Sequence, residues 1–255
     1  MARDPRRDSD SDSDSLPFIT LAPNMITTIG LCSGLTAIRF IMSGNFGLAV
    51  ALILFSIVID GLDGLVARRL KATSEFGAQL DSLSDFLNFG VVPGLLVYRY
   101  ALLEGPHPGS WIFVLAYSVC CCMRLARFNV AQLQAKASGL SPAKHFTGVP
   151  APAGALMALL PVFIGFETGI AVSSYPLTVG IYLGTVGALM ASRIPTFSPK
   201  SLRIARDKSI WLLIALAMVT GFMLTDFWKS MIVFVAAYAG SILYSIIKSL
   251  RNPGE

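Results

Sequence analysis

Long apolar runs dominate this chain, and their lengths suit a bilayer better than a soluble core. About 20 apolar residues in a helix cross roughly 30 Å of hydrocarbon. Eight stretches qualify, at residues 24–42, 46–67, 79–99, 110–130, 151–167, 176–191, 209–225 and 229–247. The pattern predicts an all-α polytopic membrane helix bundle of about eight transmembrane helices. Residues 1–15, MARDPRRDSDSDSDS, break the pattern. They lack the apolar middle region of a secretory leader and read as a disordered polar tail.

Composition agrees with the runs and excludes a soluble domain: 54% of the 255 residues are hydrophobic, only 14% are charged, and the mean hydropathy is +0.67. Charge placement then orients the helices. With an even number of spans, fifteen of the twenty Lys and Arg residues fall on the side that holds both termini. They include Arg3, Arg6, Arg68, Arg69, Lys71, Lys136, Arg193, Arg203 and Lys248. Only Arg99 and Lys229 fall on the other side, so the termini and the loop joining spans two and three are expected in the cytoplasm. The net charge of +5 reflects this face meeting anionic lipid headgroups, and no nucleic-acid partner is implied.

Four acids violate the apolar pattern. Asp60 and Asp63 lie in span two, Asp81 and Asp85 in span three. A carboxylate at bilayer depth costs roughly 2.5–3.5 kcal/mol on insertion scales, so four uncompensated ones cost on the order of 10 kcal/mol. The spacings of three and four place each pair on one helix face, and a short link lets the two faces meet near the cytoplasmic mouth of the bundle. Four hard oxygen ligands suit Mg²⁺ or Mn²⁺, as one ion or as a pair about 3.5–4 Å apart.

Between the acids sit Gly61, Gly64, Ala67 and Gly77, which let a bulky group approach the backbone, and Arg68, whose planar fork suits phosphate oxygens. The combination looks like a pyrophosphate site. Cys120, Cys121 and Cys122 point in different directions around one helix and read as small packing residues.

These positions reproduce a known signature. Asp60, Asp63, Gly64, Ala67, Arg68, Gly77, Asp81 and Asp85 match D-x₂-D-G-x₂-A-R-x₈-G-x₃-D-x₃-D, eight fixed residues across 26 positions, with no departure. The chain thereby resembles the CDP-alcohol phosphotransferases. The resemblance implies a six-helix catalytic core at 16–191, followed at 192–255 by a basic loop and two additional helices. It implies that Asp60, Asp63 and Asp81 ligate a pair of divalent ions, and that Asp85 is the general base and also touches the second metal. Gly64, Ala67, Arg68, Ser74 and Gly77 match positions that hold the CDP-lipid, and Pro23, Asn24, Met25 and Ile26 match another wall of that pocket. A homodimer in a bacterial inner membrane is implied as well.

Further segments resemble the serine-using branch of the family: Arg124-Leu-Ala-Arg127-Phe-Asn129, Phe146 to Pro152, and Ser74 to Asp85. The implied reaction moves the phosphatidyl group of CDP-diacylglycerol to L-serine. Arg124 and Arg127 are suited to the serine carboxylate, with Asn129 assisting. The competing reading has these arginines at lipid phosphates or compensating the acids. Siblings using glycerol 3-phosphate, inositol phosphate or choline form the alternative within the family. An ion-coupled transporter is the alternative outside it, although spans five to eight hold no matching acidic pair.

Overall fold

The computed structural model describes residues 18–70, 74–103, 108–138, 148–192 and 221–251. Among these no strand occurs, and the helices follow one another as α1 (Phe18–Met42), α2 (Phe46–Leu70), α3 (Glu75–Leu102), α4 (Trp111–Ala137), α5 (Ala151–Thr168), α6 (Pro176–Ala191) and α7 (Phe227–Arg251). All but α6 are long and apolar enough to cross a membrane, and α6 is apolar but only 16 residues long. The chain is therefore an integral membrane protein of the expected all-α class. Of the expected spans, most of 209–225 lies outside the described residues, as do the 1–15 tail and the basic stretch 193–208.

α1 and α2 form a tight hairpin. The helix ends where Gly44 adopts φ 75°, a left-handed conformation that glycine takes without steric cost, and Asn45 N–H closes the turn by donating to Phe40 O at 2.9 Å. Small residues then set how closely the helices approach. A Cβ on Gly34 of α1 would overlap the Asn88 amide of α3, and one on Gly180 of α6 would lie 2.5 Å from the Phe113 ring of α4. Where no water drives helices together, such close backbone approach supplies the packing.

Prolines within spans free backbone carbonyls that lipid cannot satisfy. Two neighbouring tyrosines take them up. Pro93 has no N–H to offer Phe89 O four residues back, and Tyr117 of α4 donates its hydroxyl there at 2.6 Å. Pro161 leaves Met157 O in the same position, and Tyr182 of α6 donates to it at 2.7 Å. Around Pro93 the α3 backbone widens into a π-helical segment, Phe86–Val91, whose Gly90 carbonyl accepts from Ser118 Oγ at 2.8 Å. Phe89, Leu96, Tyr117, Phe163 and Leu183 are fully buried around these contacts, so the α3–α4–α5–α6 packing carries much of the core.

Candidate active site

Asp60 and Asp63 lie on the last turns of α2, Asp81 and Asp85 on the first turns of α3, and the short link between the helices brings all four to one cleft. The cleft is narrow and is lined by the acids together with Thr27, Gly30, Ser56, Ile59, Ser84 and Asn88. One carboxylate oxygen each from Asp60, Asp63 and Asp81 lies within 4.8 Å of the others. Ligand oxygens on opposite sides of one six-coordinate ion stand about 4.2 Å apart at roughly 2.1 Å per bond. Small side-chain movements therefore bring the three onto one cation, and the donor set fits a hard divalent ion.

Asp85 stands differently. Its carboxyl group lies close to that of Asp60. Two neighbouring carboxylates repel, and a proton or a cation between them relieves that repulsion. The position immediately precedes the π-helical segment, so the side chain is carried on backbone clamped by Tyr117 and Ser118.

Asp63 is 5% exposed and keeps its orientation through Thr27 of α1, whose hydroxyl donates to Oδ2 at 2.7 Å. The same hydroxyl lies 3.1 Å from Pro23 O, but the shorter contact to a stronger acceptor takes the proton. Sequence reasoning missed Thr27. A threonine bonded back to the carbonyl four residues earlier is common in apolar helices and carries no signal of its own. Ser84 and Asn88 were missed for a related reason: both are buried, and Asn88 donates to Gly30 O and Ser84 Oγ, each at 3.2 Å, joining α1 to α3 beneath the acids.

The segment expected to hold the CDP-lipid is partly assembled. Ser74 caps α3 by accepting from Gly77 N–H at 2.9 Å. A Cβ on Gly77 would lie 2.6 Å from Asn24 Oδ1 and 3.0 Å from Ser74 Oγ, so the glycine admits Asn24 of α1 to the start of α3. A Cβ on Gly61 or Gly64 would meet nothing within 4 Å. Neither glycine is needed for internal packing, and both leave backbone open beside the acids. Pro23 is buried, Ile26 half-buried, and Met25 is 49% exposed on the outer face of α1. Ala67 and Arg68 lie on the final turn of α2, with side chains outside the described residues.

The three residues expected to hold serine have different surroundings. Arg124 is within electrostatic reach of Asp60, Asp85, Cys121 and Tyr238, yet its buried Nε–H has no hydrogen-bond partner among the described residues. Arg127 is exposed and donates to Ala191 O at the end of α6. Asn129 donates to Ser82 Oγ at 2.9 Å, beside Asp81. Gly148, from the Phe146–Pro152 motif, has φ 82° and abuts the same end of α6, where a Cβ would lie 2.7 Å from Met190 O. His145, Phe146 and Thr147 lie outside the described residues. Of the cysteines, Cys121 is buried against Gly90 as a small packing residue and Cys120 is half-buried, whereas Cys32 and Cys122 are exposed.

With this geometry, the sequence model of the CDP-alcohol phosphatidyltransferase family matches residues 20–192. The chain belongs to that family. The match runs from α1 to the end of α6 and takes in every acid of the cleft, which removes the transporter alternative. Family members depend on divalent metal, in keeping with the acidic cluster. Several curated relatives carry the name CDP-diacylglycerol–serine O-phosphatidyltransferase. The one from Mycobacterium tuberculosis is 38% identical over 204 residues, covering 78% of this chain and 68% of its own. That from Mycobacterium leprae is 41% identical over 182 residues, covering 69% of this chain and 58% of its own. The Bacillus subtilis relative is 37% identical over 139 residues, covering 54% and 73%. The chain thus spans 58% to 73% of the length of these three relatives.

Proposed function

We propose that this protein transfers the phosphatidyl group of CDP-diacylglycerol to the hydroxyl of L-serine, giving phosphatidylserine and CMP. The observation that carries the reading is the meeting of Asp60, Asp63 and Asp81 at one cleft with Asp85 against Asp60, in a chain whose relatives are named for this reaction. Asp60, Asp63 and Asp81, joined by Asp85, would hold a pair of Mg²⁺ or Mn²⁺ ions. When bound, the ions offset the charge of the pyrophosphate and of departing CMP.

The residues of the chain do the rest. Gly61 and Gly64 give the diphosphate access to the backbone of α2, and Asn24, Ser74 and Gly77 form the wall at the start of α3. Ala67 and Arg68 complete the CDP-lipid site. Arg124 draws the serine carboxylate beside Asp85, with Arg127 and Asn129 on the same helix flanking it. Asp85 then takes the proton from the serine hydroxyl as its oxygen forms a bond to the phosphatidyl phosphorus, while the bond from that phosphorus to CMP breaks. Residues 16–191 form the transferase unit, with 192–255 added to it. The active site and both termini face the cytoplasm of a bacterial inner membrane, and the protein works as a homodimer among membrane lipids.

The test uses purified protein in detergent micelles with CDP-diacylglycerol and a panel of labelled alcohols: serine, glycerol 3-phosphate, inositol phosphate and choline. CMP and labelled phosphatidylserine should appear together, stop on chelation, and return with Mg²⁺ or Mn²⁺. Labelled product from another alcohol with serine inert refutes the acceptor assignment. No CMP with any alcohol refutes the transferase reading.

A further inference from the structure

α7 lies beyond the matched family region, yet its inward stripe packs against the core of the matched helices. Met231, Val235 and Ile242 are buried at helical spacing, and Tyr238 falls on the same stripe, half-buried against the core. It brings a phenol into an otherwise apolar row. The helix is anchored near its start, where the Trp228 ring stacks on Phe163 at 6.1 Å and contacts Phe166 at 4.7 Å between centroids. Tyr238 is ten residues on, about 15 Å along the axis at 1.5 Å per residue. Arg124 of α4 lies within electrostatic reach of its phenol.

Arg124 supplies the second observation. Its Nε–H is buried without a partner among the described residues, and it forms no direct ion pair with Asp60 or Asp85, although both lie within its electrostatic reach. A buried guanidinium N–H left unpaired is costly, and it is relieved by an anionic group arriving between the arginine and its neighbours. The groups within electrostatic reach of Arg124 are Asp60, Asp85, Cys121 and Tyr238, and among these the phenol is the strong neutral hydrogen-bond donor.

We propose that Tyr238 completes the acceptor subsite, its hydroxyl donating to the carboxylate of the acceptor alcohol that Arg124 holds, so that α7 sets acceptor affinity. This rests on the reading of Arg124 given under Proposed function. Tyr238 touches the acceptor at the end remote from the reacting hydroxyl, and it contributes to binding more than to the chemical step.

Tyr238→Phe and Tyr238→Ala, purified full-length, are compared with the wild type for CMP release at varied serine and varied CDP-diacylglycerol. Tyr238→Phe keeps the ring and its packing and loses only the hydroxyl. The expected result is a serine KM raised roughly fivefold to tenfold in both variants, the loss of one hydrogen bond to a charged group, with the KM for CDP-diacylglycerol within twofold of wild type. An unchanged serine KM in both variants overturns the proposal, and so does a parallel rise of both KM values. A wild type that ignores serine refutes the functional reading separately, and the same variants assayed with the alcohol it does use then decide the role of Tyr238. A wild type that consumes no alcohol overturns both.

Discussion

Replacing Thr27 by Val exchanges one hydroxyl for a methyl group of nearly the same shape, at a residue that touches neither substrate nor cation in the proposed mechanism. The hydroxyl donates to Asp63 Oδ2 at 2.7 Å, and Asp63 is 5% exposed, so water does not replace the lost donor. A hydrogen bond to a charged group is worth about 1.5–3 kcal/mol, and losing it leaves the carboxylate both under-satisfied and free to rotate. At 1.4 kcal/mol per factor of ten, apparent Mg²⁺ or Mn²⁺ affinity should fall roughly tenfold to a hundredfold, the range seen when groups that orient metal ligands are removed. The assay is CMP release as a function of free metal at saturating CDP-diacylglycerol and serine. The half-saturating metal concentration should rise while the rate at saturating metal changes much less, and Thr27→Ser should restore most of the affinity. A Thr27→Val enzyme with unchanged metal dependence would show that Asp63 is not a ligand oriented by α1.

Other substitutions probe the remaining parts of the site. Asp85→Asn should lower turnover by at least a thousandfold while equilibrium binding of CDP-diacylglycerol stays within a few fold, and an active Asn variant would sink the general-base assignment. Gly64→Leu adds a side chain where nothing lies within 4 Å, so thermal unfolding in detergent should shift little while the KM for CDP-diacylglycerol rises at least tenfold. Gly34→Ala has the opposite character: its Cβ overlaps the buried Asn88 amide, and overpacking of this kind costs about 1–3 kcal/mol, read as a lowered unfolding midpoint. Arg124→Ala should raise the serine KM several-fold at constant CDP-diacylglycerol KM. Arg127→Ala, which loses its donation to Ala191 O, should also lower the unfolding midpoint, and a serine KM unchanged in both arginine variants would remove them from the acceptor site.

The positions of the helices were legible because a bilayer imposes a length and a composition that a linear reading detects directly. The span expected at 79–99 proves to be the Glu75–Leu102 helix, and that expected at 151–167 the Ala151–Thr168 helix. The acids were legible because charge in an apolar run is conspicuous, and their spacing alone placed each pair on one face. Thr27, Asn88 and Tyr238 were not legible. Single polar residues in apolar helices are frequent, and what distinguishes these three is the group each faces across the bundle.

The sequence by itself determined a helical membrane protein, the cluster of acids at the start of α3 and the end of α2, and a signature specific enough to point to one family. Each of these depends on residues close together along the chain, within the reach of helical periodicity. Tertiary structure alone decided the partners. Thr27 meets Asp63 across 36 residues, Tyr117 covers the carbonyl that Pro93 leaves free, and Arg127 binds the end of α6 64 residues away. Such pairings depend on which helix packs against which and at what rotation. In this bundle, glycines at the contact faces and hydroxyls bonded to freed carbonyls fix that rotation, and neither leaves a periodic trace in the chain.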